Sequence, residues 1–237
     1  MRKLQDNVGH PTVRRALRYT ALRLQAKPET QGLAGEIEAE RTRLSGALDA
    51  YEQIREQRVG LTALIGHQDG IVDGQVADIA RQVAVITGNK TDTEFYKSLF
   101  PIAPSTATAP TASDSQNRFV KALIDRIETD DRYDSLRPTA AELKTAQTEL
   151  DRLLTEREDL RTPELRATVD LRTALDSARR AYNKLYPKLQ LIFDNKGFIE
   201  TFFISNGRST KAEQQALEES LADSDTDTDT DDLSAVG

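Results

Sequence analysis

Residues Thr139–Leu160 read TAAELKTAQTELDRLLTEREDL, and Arg161–Ile192 continue RTPELRATVDLRTALDSARRAYNKLYPKLQLI. In the first stretch Leu143, Ala146, Leu150, Leu153 and Leu160 keep a heptad phase, with Arg157 filling the gap. Apolar side chains at three- and four-residue steps fall on one side of a 3.6-residue helix, so the pattern predicts an amphipathic helix. Thr139-x-x-Glu142 has the form of a capping box. The second stripe runs Leu165, Val169, Leu175, Ala178, Tyr182, Leu185, Leu189 and Ile192, interrupted by Arg172. Thr162-Pro163-Glu164 supplies the N-cap, first-position proline and acid expected at a helix start. Only Arg161 is left between the two patterns, so residues 139–186 are expected to form a helical hairpin with a tight antiparallel turn.

The same grammar extends toward the N-terminus. Val13, Leu17, Thr20 and Leu24 come after His10-Pro11 at helical spacing. A second helix is expected from about Pro28–Thr30 to Ile65, and a third carries Val72, Val76, Ile79, Val83 and Ile86. Between them Gly66, Gly70 and Gly74 stand at four-residue steps. Three glycines cost roughly 3 kcal/mol inside a helix, so a turn is expected there, with Asp69 or Asp73 as N-cap. Thr91-x-x-Glu94 and Ser113-x-x-Gln116 predict further helix starts. Residues 101–113, with three prolines among small residues, read as a linker without a packed core. Asp130–Pro138 reads as a polar turn, Phe198–Ile204 as a short helix or strand, Asn206-Gly207 as a turn, and Thr210-x-x-Glu213 as the cap of a final short helix.

The fold expected is all-α: long antiparallel helical hairpins forming a bundle, with a disordered acidic C-terminal tail. The divisions expected are a first hairpin region over 1–100, a linker or long loop over 101–113, a second hairpin region with an aromatic end over 114–221, and the tail over 222–237. Tyr96-Lys-Ser-Leu-Phe-Pro101 and Tyr182-Asn-Lys-Leu-Tyr-Pro187 share Tyr-x-x-Leu-aromatic-Pro, which raises the idea of two related hairpins.

Composition suits thin helical seams: of 237 residues, 38% are hydrophobic and 30% charged, against roughly 25% charged in ordinary soluble domains. With no Cys and two His, thiolate chemistry, disulfides and a three-imidazole zinc site are all excluded. No apolar run comes after Met1 and none approaches 18 residues, so neither a secretory leader nor a membrane span is expected, and the cytoplasm is the default location. Net charge is −7. Residues 212–237 hold nine acids and no base, so the remaining 211 residues sum to +2.

Candidate chemistry is sparse. His67 has Asp69 nearby, but no nucleophile accompanies it, and a solvent-facing or capping histidine is expected. Glu36/Glu40, Glu52/Glu56 and Asp69/Asp73 are i, i+4 pairs without the Glu-x-x-His of carboxylate-bridged metal bundles. Asp225-x-Asp227-x-Asp229 lacks the Gly and Glu that complete a calcium loop, since Thr230 and Val236 stand there. No catalytic, cofactor-binding or metal residue is therefore nominated. Arg2, Lys3, Arg14, Arg15, Arg18 and Arg23 make a basic N-terminus, for which pairing with acidic helices or with the tail is expected ahead of nucleic acid.

The candidate interface residues are aromatic: Tyr96, Phe100, Tyr182, Tyr186, Phe193, Phe198, Phe202 and Phe203. Leu233 and Val236 near the C-terminus form a candidate tail motif for a partner's groove. The function expected is non-catalytic: a structural or scaffold protein binding a protein partner or itself, as a homo-oligomer. An adaptor tethered through its tail is the first alternative, and a ligand-binding bundle or enzyme of unknown type the second.

Overall fold

The computed structural model describes residues 3–5, 7–109 and 111–204. The Asn206-Gly207 turn, the helix capped at Thr210, the acidic tail, Leu233 and Val236 lie outside the described residues. The described residues contain helices α1 (His10–Gln25), α2 (Gln31–Ile86), α3 (Glu94–Leu99), α4 (Pro104–Ala107), α5 (Asp114–Thr129), α6 (Arg137–Asp159), α7 (Arg161–Gln190) and α8 (Lys196–Glu200). Two 3-10 turns, Pro28–Thr30 and Asp131–Leu136, complete the order, and no strand occurs among them. The all-α bundle of long antiparallel helices is the observed architecture.

The chain forms two compact units: unit 1 from Met1–Ala47 and Leu171–Gly237, unit 2 from Leu48–Asp170. No boundary falls at 101–113. Unit 2 is contiguous in sequence, whereas unit 1 is assembled from both ends of the chain.

Unit 1 buries Val13, Leu17 and Leu24 of α1, Ala34, Ile37 and Leu44 of α2, Ala178, Leu185 and Leu189 of α7, and Ile199 of α8. Thr20 sits in the same stripe because its hydroxyl donates to the carbonyl of Phe202 at 2.8 Å, which offsets the cost of burying it. Asn183 of α7 binds both backbone groups of Leu4: Leu4 N donates to Oδ1 at 2.9 Å, and Nδ2 donates to the Leu4 carbonyl at 3.0 Å. Phe198–Ile204 opens with α8, whose cap is the Asn195 carboxamide accepting from Phe198 N at 3.1 Å.

Unit 2 buries Val72, Val76, Ile79 and Val83 of α2, Val120, Leu123 and Ile127 of α5, and Leu143, Leu150 and Leu153 of α6. These are the residues that the helical period selects. Four expectations fail here. First, α2 runs unbroken for 56 residues through Gly66, Gly70 and Gly74, about 84 Å at 1.5 Å per residue. Burial of Ile65, Val72, Val76 and Ile79, worth roughly 1.5–3 kcal/mol each, exceeds the glycine penalty, and the glycines themselves occupy the exposed face.

Second, there is no reversal at Arg161. Helical backbone continues through Leu160 (φ −72, ψ −15), and Glu164 N donates to the Leu160 carbonyl at 2.9 Å. Gln82 bonds Thr139, Gln68 bonds the Ala146 carbonyl and Arg58 pairs with Glu164. Partner numbers rise as α2 numbers fall, so α6 and the start of α7 run antiparallel to α2 in one sense. The chain instead turns back between Thr87 and Leu136. Gly88 and Asn89 adopt positive φ of 65° and 61° just beyond α2.

Third, the supposed linker contains α4, begun by Pro104 at its first turn, and buries Ala107. Fourth, the polar turn at 130–138 is a 3-10 segment that buries Tyr133 and Leu136 completely. Helix starts also shift. Thr93, rather than Thr91, caps α3 by accepting from Tyr96 N at 3.2 Å. Thr139 lies inside α6 and accepts from Gln82 instead. Ser113 caps α5 as expected, accepting from Gln116 N at 3.2 Å.

Candidate interaction surfaces

The eight aromatic candidates divide between the two cores. In unit 2, Phe100 is buried and Tyr96 half-buried, with ring centroids 5.3 Å apart; Phe119 lies 6.3 Å from Phe100. In unit 1, Tyr182, Phe202 and Phe203 are buried, while Tyr186, Phe193 and Phe198 are half-buried. Tyr182 meets Phe203 edge-on at 5.3 Å, and Phe193, Phe198 and Phe202 form a mutual cluster at 5.0–5.7 Å. Such packing uses both the area and the ring quadrupoles internally. The rings seal the cores and do not present an open patch. The Tyr-x-x-Leu-aromatic-Pro resemblance has no common geometry: Phe100 leaves helical space (φ −121, ψ 76) before Pro101, whereas Pro187 lies inside α7.

Exposed apolar area lies elsewhere. In unit 2, Val59 (64%), Leu64 (52%), Leu165 (61%) and Val169 (62%) stand in solvent. Leu165 and Val169 belong to the stripe that the sequence assigns to a seam, so the stripe is uncovered where α7 begins. In the same unit Gly60, Leu61 and Leu64 of α2 and Leu160 line a shallow groove together with Glu156 and Asp159. Arg58 and Glu164 pair across α2 and α7 at 2.6 Å.

The buried polar side chains of unit 2 are Asp69, Gln116 and Gln147, the last of which donates to Asn117 and Asp151. Gln116, fully inaccessible, donates through Nε2 to Asp69 Oδ1 and to Asp73 Oδ1, each at 2.8 Å. Asp69 Oδ1 also accepts from Ala112 N at 2.9 Å. The i, i+4 carboxylate pair of α2 thus clamps the segment that leads into α5. Burial, and then the adjoining Asp69 charge, push the Asp73 carboxyl above its usual range, opposed by the Gln116 hydrogen bond. No sequence signal links Asp69 to Gln116, 47 residues apart. His67 is exposed, with no hydrogen bond among the described residues, and Asp69 serves the clamp rather than the imidazole. Among the described residues no group of three metal-ligating side chains is assembled, and no helix is long and apolar enough to cross a membrane.

Charge separates by unit. Residues 1–47 and 171–204 of unit 1 carry 15 basic and 8 acidic side chains, a net +7. Unit 2 carries 15 basic and 22 acidic side chains, a net −7. The +2 of residues 1–211 is therefore two opposed charges that cancel, with Arg208 and Lys211 left over. Within unit 1, α1 contributes Arg14, Arg15, Arg18 and Arg23 and no acid. Arg14, Arg15 and Arg18 have no ion pair within 4.0 Å among the described residues, although Arg18 is near enough to help lower the Glu38 carboxyl, which Arg41 chiefly holds down by a hydrogen bond.

Against this geometry, no protein family, no curated protein and no solved structure matches the chain.

Proposed function

We propose that the chain is a non-catalytic structural protein of the cytoplasm that associates with further copies of itself. The observation that supports this reading is the uncovered set Val59, Leu64, Leu165 and Val169, all more than half exposed on one unit. Covering the exposed part of each side chain contributes about 1 kcal/mol, or about 8 kcal/mol for the eight of a symmetric pair. That sum is similar to the roughly 4–15 kcal/mol that association costs. Assembly is therefore reversible and concentration-dependent. Residues 1–47 and 171–204 at +7 and residues 48–170 at −7 favour a second copy as the occupant, because each copy offers both signs.

Light scattering across a concentration series tests this. The expected mass rises above the 26.4 kDa of one chain with concentration, and the double substitution Val59→Asp, Leu165→Asp returns it to the single-chain value. A constant single-chain mass at every concentration would overturn the reading.

A further inference from the structure

The basic face of α1 stands beside the point where the described chain ends. Ile204, the last described residue, lines a cleft of about 140 Å³ together with Lys3, Val8, Thr12, Arg15 and Tyr182. The approach to it is fixed by hydrogen bonds from α1. Tyr19 Oη and Arg23 Nε donate to the Thr201 carbonyl at 3.3 and 3.2 Å, and Thr20 holds Phe202. The segment beyond Ile204 therefore starts against a helix bearing four arginines and no acid. By sequence that segment includes Glu213, Glu218, Glu219 and six aspartates between 223 and 232, with no base after Lys211.

Reach is sufficient. Nine residues take the chain from Ile204 to Glu213, up to about 30 Å when extended, while α1 is about 24 Å long. Tethering also raises the local concentration of the tail to the order of millimolar. A contact with a Kd of roughly 0.1 mM would thus be about nine-tenths formed within one chain.

We propose that the acidic segment 213–232 is the ligand of the α1 face, docking within its own chain on Arg14, Arg15 and Arg18. The contact is a charge-matched one with an acidic peptide, and salt screens it because the arginines stand at the solvent surface. The docked tail neutralises the +7 of unit 1 and withholds that face from other polyanions. Docking of this kind does not require self-association.

The full-length chain tests it directly, since the absence of cysteine permits a single nitroxide at Ser234→Cys. At 50 mM salt the label should broaden the amide signals of α1, and reduction of the nitroxide should restore them. Broadening should fall at least fivefold at 500 mM salt and in Arg14→Gln, Arg15→Gln, Arg18→Gln. Broadening that is absent, lies elsewhere, or survives the triple substitution overturns the proposal. So does equal broadening when the nitroxide is carried only by a companion chain without isotope label, which would place the tail on a second copy. A single-stranded oligonucleotide that shifts the α1 amides where the tail leaves them untouched would assign the face to nucleic acid and equally overturn it.

Discussion

Unit 1 up to Ile204 and unit 2 each hold 15 basic side chains, and the whole difference between +7 and −7 lies in 8 acids against 22. Their interiors differ as well. Unit 1 closes on phenylalanine and tyrosine rings, and its ends are joined by side chains that bind backbone groups some 180 residues away, as in Thr20 to Phe202 and Asn183 to Leu4. Unit 2 is contiguous, and its aliphatic stripes and the buried rings of Phe100 and Tyr133 are accompanied by buried amide–carboxylate contacts at Gln116 and Gln147. Charge and core chemistry are thus properties of each unit. The chain's net −7 equals that of unit 2 only because the +7 of residues 1–47 and 171–204 is cancelled by residues 205–237, with two bases and nine acids.

Hollowing one core is the most severe challenge to that separation. Phe202→Ala should cost about 3–5 kcal/mol. Hydrogen exchange should show amides of α1 and residues 174–189 losing protection while those of α5 and α6 keep theirs. Equal loss in both sets would show that the units do not stand apart energetically. The clamp is the corresponding lever in unit 2. Asp69→Ala leaves Ala112 N and one bond of the inaccessible Gln116 unmade, and should cost about 1–3 kcal/mol in urea unfolding, with faster exchange at Ala112.

A smaller effect of opposite sign comes from the exposed glycines. A Cβ at Gly66, Gly70 or Gly74 meets nothing within 4 Å. Each change to alanine should therefore stabilise unit 2 by about 0.5–1 kcal/mol, read as a raised thermal midpoint with unit 1 unaffected. The least of these effects is one of pH. The Asp73 carboxyl is raised above its unfolded value, so its favourable contribution is full below the unfolded pKa and lost as pH rises through the folded one. Acidification across that window should gain wild type a little stability relative to Asp73→Asn. A pH profile unchanged by the substitution would count against burial, with the Asp69 charge second, as the cause of the raised carboxyl.

Much of this architecture is legible in the sequence. The stripes at Val13–Leu24, Val72–Val83 and Leu143–Leu153 are all buried, because helical period and burial are the same physical fact seen twice. Local stop signals read less well. Glycines at 66–74 weigh against a helix only until tertiary burial is added to the balance. Thr162-Pro163-Glu164 does mark a helix start at Arg161, but a start carries no information about direction, and the chain resumes in the sense it already had. Leu165 and Val169 have the right spacing for a seam and nothing over them. The clamp between Asp69 and Gln116 is not legible at all, since it joins residues whose nearness exists only once the chain has turned back at 87–136.

The split of unit 1 between the two ends of the chain also sets an order of events during synthesis. Unit 2 is contiguous and has all its residues once Asp170 has emerged. Residues 1–47 must wait for Tyr182, Phe202 and Phe203 before their core can close, roughly ten to thirty seconds at about 5–20 residues per second. During that interval the arginine-rich helix α1 has only Ala34, Ile37 and Leu44 of α2 and lacks its hydrophobic partners from residues 174–203. A segment made before unit 2 is thus buried after it, and the acidic residues 48–170 fold while the basic residues 1–47 are kept waiting.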